Sequence, residues 1–207
     1  MKMGTRSVLF GAHQFAIHPW FVARAWWKLY VFPSDPRLWV AFFVHDIGYL
    51  GKPNMDGPEG EEHPWTGARI MHKLFDGTRI GRLLDRRFET CPDSRGWLWF
   101  TLCHSRYLAK KYNTHYSKLC VADKLAIALT PWWIYLPMVT LTGEIDEYMG
   151  NGKRSQTKEH VSKAERHGLT SDDKRLWFKG LQQYMLRWVE THKDGREDQW
   201  TKRTEAA

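Results

Sequence analysis

Apolar residues recur along this chain at helical spacing, and no stretch alternates apolar and polar residues long enough to build a sheet. The pattern predicts helices over Pro19–Tyr30, Pro36–His45, Pro64–Phe75, Thr78–Phe88, Trp97–His104 and Ser117–Leu129. The first three open on a proline at the first helical position, where the missing N–H has no partner to lose. Gly48–Gly60, rich in Gly, Pro and acidic residues, reads as a surface loop, and Pro92-Asp93-Ser94 as a turn. Leu125–Leu141 is almost wholly apolar, but Pro131 and Pro137 interrupt it and it is short for a spanning helix, so it reads as a buried wall of the core. Asn151–Gln156 is a polar break. A charged helix and then an amphipathic one should follow, the latter with Leu176, Leu181, Met185 and Val189 on or near one face. The expected architecture is an all-α bundle over residues 8–150 with a charged helical extension and tail over 151–207.

Composition narrows this further. The chain has 207 residues, 43% of them hydrophobic, enough for one domain with a well-formed core plus a helical extension. Cys91, Cys103 and Cys120 are odd in number and lack CxxC spacing, which excludes a disulfide framework or a zinc ribbon and points to a reducing cytoplasm. Met1–Ala12 has no continuous apolar stretch, so no signal peptide is expected. A net charge of +8 with twelve tryptophans could suit nucleic acid. Most of those tryptophans (Trp26, Trp27, Trp39, Trp97, Trp99, Trp132, Trp133) fall in apolar helical segments and read as core. No recognition motif or arginine-rich tract accompanies them, and the charge serves equally well to attract a small anion. Neither a nucleic-acid polymer nor a membrane is expected as a partner, and a homo-oligomer is compatible with the sequence.

Five separated segments carry side chains suited to a divalent metal. They are His18 in His18-Pro19-Trp20, the pair His45-Asp46, His63 in His63-Pro64-Trp65, His104 in Cys103-His104-Ser105-Arg106, and Asp123 in Ala122-Asp123-Lys124-Leu125. Mixed imidazole and carboxylate donors suit a transition metal rather than magnesium or calcium. Adjacent helical residues diverge by about 100°, so His45 and Asp46 converge only where a helix ends. His18 and His63 each precede a helix-opening proline, where the positive end of the helix dipole keeps an imidazole neutral, as a ligand must be. Asp46 follows Phe42-Phe43-Val44, and Asp123 lies among Leu119, Val121 and Leu125. A lone carboxylate in such a setting is costly, and a metal supplies the missing charge. His13 and Gln14 lie just before His18 and could reach the site, although a Gln or His in a first turn is more often simply solvated.

These residues resemble the HD-domain superfamily of metal-dependent phosphohydrolases. The likeness runs from about His13 to about Leu129, with Val44-His45-Asp46-Ile47-Gly48 and Val121-Ala122-Asp123-Lys124-Leu125 as its centre. It implies an HD-type helical bundle in which His18, His45, Asp46 and Asp123 hold one ion. His63 and His104, with Asp46 bridging, match the second site of the binuclear branch, which includes HD-GYP phosphodiesterases and HD-type diadenosine tetraphosphate hydrolases. His63-Pro64-Trp65-Thr66-Gly67-Ala68 looks like the His-Pro-x-x-Gly-Ala signature there. Tyr49 stands where the family often has lysine, and no Gly-Tyr-Pro follows His104, which points away from cyclic di-GMP.

The resemblance implies two divalent ions of Mn, Fe, Ni, Co or Zn and a small phosphorylated substrate, a nucleotide or similar. Catalytic roles fall to Asp46, Lys52 and Arg106, and substrate contacts to Arg106, Lys124, Tyr49 and Lys52, because phosphate oxygens call for cations and donors. One of Asp56, Glu59, Glu61 and Glu62 could serve as proton donor or as partner to a metal-bound histidine. A di-iron oxygenase on the same ligand set, or a non-catalytic nucleotide-binding module, are the alternatives.

Overall fold

The computed structural model describes residues 1–88, 91–154 and 168–196. Every regular element among them is helical, and they contain no strand. In chain order the helices are α1 (Met3–Phe10), α2 (His18–Leu29), α3 (Pro36–Val44), a 3-10 turn at Ile47–Tyr49, α4 (Pro64–Phe75), α5 (Arg79–Asp85) and α6 (Trp97–Leu102). α7 (Arg106–Lys111), α8 (Lys118–Leu129), α9 (Trp132–Thr142), α10 (Glu144–Arg154) and α11 (Lys174–His192) complete the set.

α8 is the central helix, packed against α2 on one side and α11 on the other, while α4 packs on α6 and α3. Trp26 of α2 joins the elements, its ring centroid 5.8 Å from Phe42 of α3 and 5.8 Å from Phe100 of α6. Phe42 and Phe100 are wholly buried. Burying a phenylalanine contributes roughly 1.5–3 kcal/mol, whereas a nine-residue helix gains little by itself in water, so packing holds α3 and the pair that follows it. Arg37, also wholly buried, anchors the start of α3 through Asp35 and Asp85, and Asp35 caps that helix by accepting from the Arg37 N–H at 2.9 Å.

Several sequence expectations are corrected. The apolar run Leu125–Leu141 is two helices bent by 99°, not one wall. Pro131 lacks an N–H and drives Thr130 into an extended conformation, and the Thr130 hydroxyl closes α8 by donating to the Ala126 carbonyl at 2.8 Å. No single helix of the described residues is long and apolar enough to cross a membrane; α8 and α9 meet that length and composition only as the bent pair. Trp132 and Trp133 face outward, 46% and 61% exposed, as does Trp27 at 62%, so these three are not core. The break expected at Asn151 is helical through Arg154; Ser155 and Gln156, most of the charged helix and the tail from residue 197 lie outside the described residues. α11 turns Trp177, Phe178, Trp188 and Val189 inward, and Leu176 is exposed. The helix expected over Trp97–His104 stops at Leu102, which leaves His104 beyond its end.

Candidate metal centre

His45 and Asp46 converge because α3 ends beneath them. His45 keeps helical dihedrals (φ −58°, ψ −38°) as the C-cap, while Asp46 shifts to φ −98°, ψ −3° and starts the 3-10 turn, so the two neighbours no longer diverge as on a continuous helix. Two glycines then let α4 approach. A Cβ on Gly48 would stand 1.9 Å from the His63 carbonyl oxygen, and one on Gly67 would stand 2.3 Å from that of Val44. Any larger residue at either place would push His63 away from Asp46, which gives the glycines of both motifs a steric meaning. His18 opens α2, His104 follows the end of α6, and Asp123 projects from the middle of α8.

All six predicted ligands meet. Their donor atoms form two groups, His18, His45, Asp46 and Asp123 in one and Asp46, His63 and His104 in the other, each with all its atoms within 4.8 Å of one another. Asp46 divides its oxygens between them. Oδ2 lies 3.0 Å from His45 Nε2 and 3.6 Å from His18 Nε2, while Oδ1 lies 3.3 Å from both His63 Nε2 and His104 Nε2. Asp123 Oδ1 is 2.9 Å from His18 Nε2 and 3.7 Å from His45 Nε2. The four histidines and Asp46 are buried.

Three of the imidazoles share one mode of fixation. The Nδ1–H of His45 donates to Phe42 O (2.9 Å), that of His63 to Gly60 O (2.7 Å) and that of His104 to Thr101 O (2.6 Å). A carbonyl only accepts, so Nδ1 carries the hydrogen and Nε2, in the neutral ring, is an inward lone pair. His63 Nε2 and His104 Nε2 therefore face each other at 3.1 Å, and with His45 neutral its Nε2 and Asp46 Oδ2, 3.0 Å apart, are two buried acceptors with no hydrogen between them. Lone pairs so placed repel and lack solvation; a cation between them satisfies both defects. These buried His/Asp groups could hold metal ions, and the donor set fits them.

The electrostatics of the metal-free cluster make the same demand for positive charge. Burial pushes the His45 imidazole down, but Asp46 and Asp123 prevail and raise it to about 10. Asp46 and Asp123 lie well below the usual carboxylate range: burial opposes this and the neighbouring histidines overcome it. His63 is pushed down to about 4 by burial. A proton on His45 thus substitutes for part of the charge a metal would bring.

The remaining predicted residues are placed unequally. Tyr49 is buried and stacks on His63. Arg106 and Lys124 both lie over the Trp188 ring of α11, and the charges of both act on Glu61. Lys52 packs its Cβ toward Gly4 of α1 and its charge acts on Glu59, so no contact among the described residues ties it to the ligands. Of the loop acids, Glu59 is bonded to Asn54, Glu62 is paired with Lys111, and two backbone N–H groups of Met55 and Asp56 are held by Glu147. Glu61 is the one raised, to about 7, by burial and by Asp56 against the pull of Lys124 and Arg106. His13, for which the sequence left both a solvated place and reach to the site open, is half-buried beside the cluster, its ring centroid 4.8 Å from Tyr49 and 5.9 Å from His18. Its proximity to His18 in sequence was the signal for this position.

No family model, curated protein or solved structure matches the chain.

Proposed function

We propose that this protein is a metal-dependent phosphohydrolase of HD type, acting on a nucleotide or similar small phosphorylated molecule with two divalent transition-metal ions. The observation that carries the reading is the division of Asp46, one oxygen toward His45 and His18 and the other toward His63 and His104. A carboxylate shared in this way suits a bridge between two ions, with Asp123 completing the first set. Such a pair, when bound, supplies Lewis acidity and a water of lowered pKa. The chain's own residues do the rest. The three carbonyl locks fix Nδ1–H on each ring and aim each Nε2 inward as a ligand, the buried walls exclude water, and Arg106 and Lys124 offer cations to phosphate oxygens. The net charge of +8 favours approach of an anionic substrate.

The test is phosphate release from a panel of nucleotides and phosphomonoesters under strictly anaerobic conditions, with manganese as well as iron. Release without dioxygen, abolished in Asp46→Ala, supports hydrolysis. Turnover that consumes dioxygen and fails with manganese would transfer the same ligand set to a di-iron oxygenase.

A further inference from the structure

We infer that His13 is a substrate-contacting residue of this centre, positioned by Glu144 acting through Ser7. The inference rests on the phosphohydrolase reading and extends it. Glu144 opens α10 and is wholly buried, yet among the described residues it is met by donors rather than by a cation. Its Oε2 accepts from the Ser7 hydroxyl at 2.9 Å, the Tyr148 hydroxyl at 3.0 Å and the Ala12 N–H at 3.3 Å, and its Oε1 from the Thr142 hydroxyl at 2.6 Å. Gly11 makes room for it, since a Cβ there would stand 1.6 Å from Glu144 Oε1. An acid enclosed in this way is a fixed acceptor.

Its consequence passes along one bond. Because Ser7 spends its hydrogen on Glu144, its oxygen can only accept from the ring of His13, whose Nδ1 lies 2.9 Å away. His13 therefore carries its hydrogen on Nδ1, and Nε2, which has no hydrogen-bond partner among the described residues, is the nitrogen left for a ligand. The ring lies in the loop between α1 and α2, against Tyr49 and edge-on to the ligand His18, which places that nitrogen's ring at the border of the metal cluster. An acid that fixes a histidine's tautomer through an intervening group is a general way to aim one ring nitrogen at a substrate. Here α1 and α10, elements that carry none of the metal ligands, together supply it.

Nitrogen-15 histidine spectra of the zinc-loaded protein, with orthophosphate as probe, separate this inference from the functional reading. The expected His13 signal is that of the Nδ1–H tautomer, its Nε2 resonance moves as the lone pair accepts from the P–OH of added hydrogen phosphate, and Ser7→Ala and the isosteric Glu144→Gln both scramble the tautomer with zinc content unchanged. In turnover, His13→Ala and Ser7→Ala each lower kcat/KM about tenfold to a hundredfold, the range a charge-assisted hydrogen bond covers, and Ser7→Ala has no further effect in the His13→Ala background. Additive losses, an Nε2–H tautomer, or orthophosphate that binds without moving His13 would overturn the inference and leave the hydrolase standing. Orthophosphate that does not bind at all would overturn the phosphate reading, and this inference with it. If Ser7→Ala does not fold, Glu144→Gln carries the same comparison.

Discussion

Tyr49 lies flat on His63, their ring centroids 3.7 Å apart and their planes 13° from parallel. With the Nδ1–H of His63 fixed to Gly60 O, the imidazole is held both in its plane and against its face. Groups that orient a ligand commonly matter to metal affinity by about tenfold to a hundredfold. Tyr49→Leu, which removes the flat surface, should weaken the ion held by His63 and His104 within that range and leave the other ion in place. Tyr49→Phe keeps the ring and should bind both ions as wild type does. Metal content after dialysis against graded chelator checks this; equal retention in Tyr49→Leu would show that the stack only fills space.

The same division of Asp46 sets a pattern for ligand removal. Asp46→Ala should lose both ions, because each of its oxygens faces a different group of imidazoles. Asp123→Ala should lose only the ion at His18 and His45, and His63→Ala only the other. Elemental analysis of reconstituted variants gives the stoichiometry. One ion lost from Asp46→Ala and none from His63→Ala would reduce the centre to a single site.

Metal-free protein should have a pH optimum of stability that metal removes. His45 is raised from the ordinary 6.5 to about 10, so the folded state holds a proton there that the unfolded state releases. That contribution is complete below pH 6.5 and is lost as pH rises toward 10. His63 is lowered to about 4, so between 6.5 and 4 the unfolded state binds the extra proton and stability falls as pH falls. The two together favour a maximum near pH 6.5. Thermal unfolding with chelator present, from pH 5 to 9, should show a decline above neutrality that His45→Asn lacks. Metal binding at pH 8 should release a proton from His45, read as a dependence of binding enthalpy on the buffer's ionisation heat. A metal-free protein that becomes more stable between pH 7 and 9, with the same slope in His45→Asn, would contradict this charge balance.

Much of the site was legible because its chemistry is written in residue types. His18, His45, Asp46, His63, His104 and Asp123 stood out by residue type and order, the family resemblance grouped them, and the fold brings them together; the prolines at 19, 36 and 64 marked helix starts that the structure reproduces within a residue. What periodicity does not contain is which apolar face turns inward. Trp27 and Trp133 have helical spacing yet point out, since the faces beside them already pack elsewhere. Nor does a local pattern reveal partners such as Ser7 and Glu144, which meet only after α1 and α10 have docked around Gly11. The placement of Lys52 is a third kind: a cation close in sequence to the metal pair, carried by the chain toward α1 instead.

Trp188 gives the last prediction. The Arg106 guanidinium carbon lies 5.3 Å, and the Lys124 Nζ 5.4 Å, from the centroid of its ring, within the reach of cation–π attraction. Arg106 is two residues beyond His104 and Lys124 one beyond Asp123, so the ring steadies two cations next to ligands of different metal groups. Trp188 is itself wedged by Tyr116 and stacked on His192 at 4.4 Å, which ties both cations to α11. Arg106→Ala should raise KM for a phosphorylated substrate about tenfold or more, the worth of a charge-assisted contact to phosphate, with metal content unchanged. Trp188→Leu retains apolar bulk without the negative ring face and should raise KM in the same direction by less, whereas Trp188→Phe should stay near wild type. Initial-rate kinetics over a range of substrate, alongside metal analysis, decide it. A fall in kcat with KM unmoved in Arg106→Ala would show that these cations serve some step other than phosphate capture.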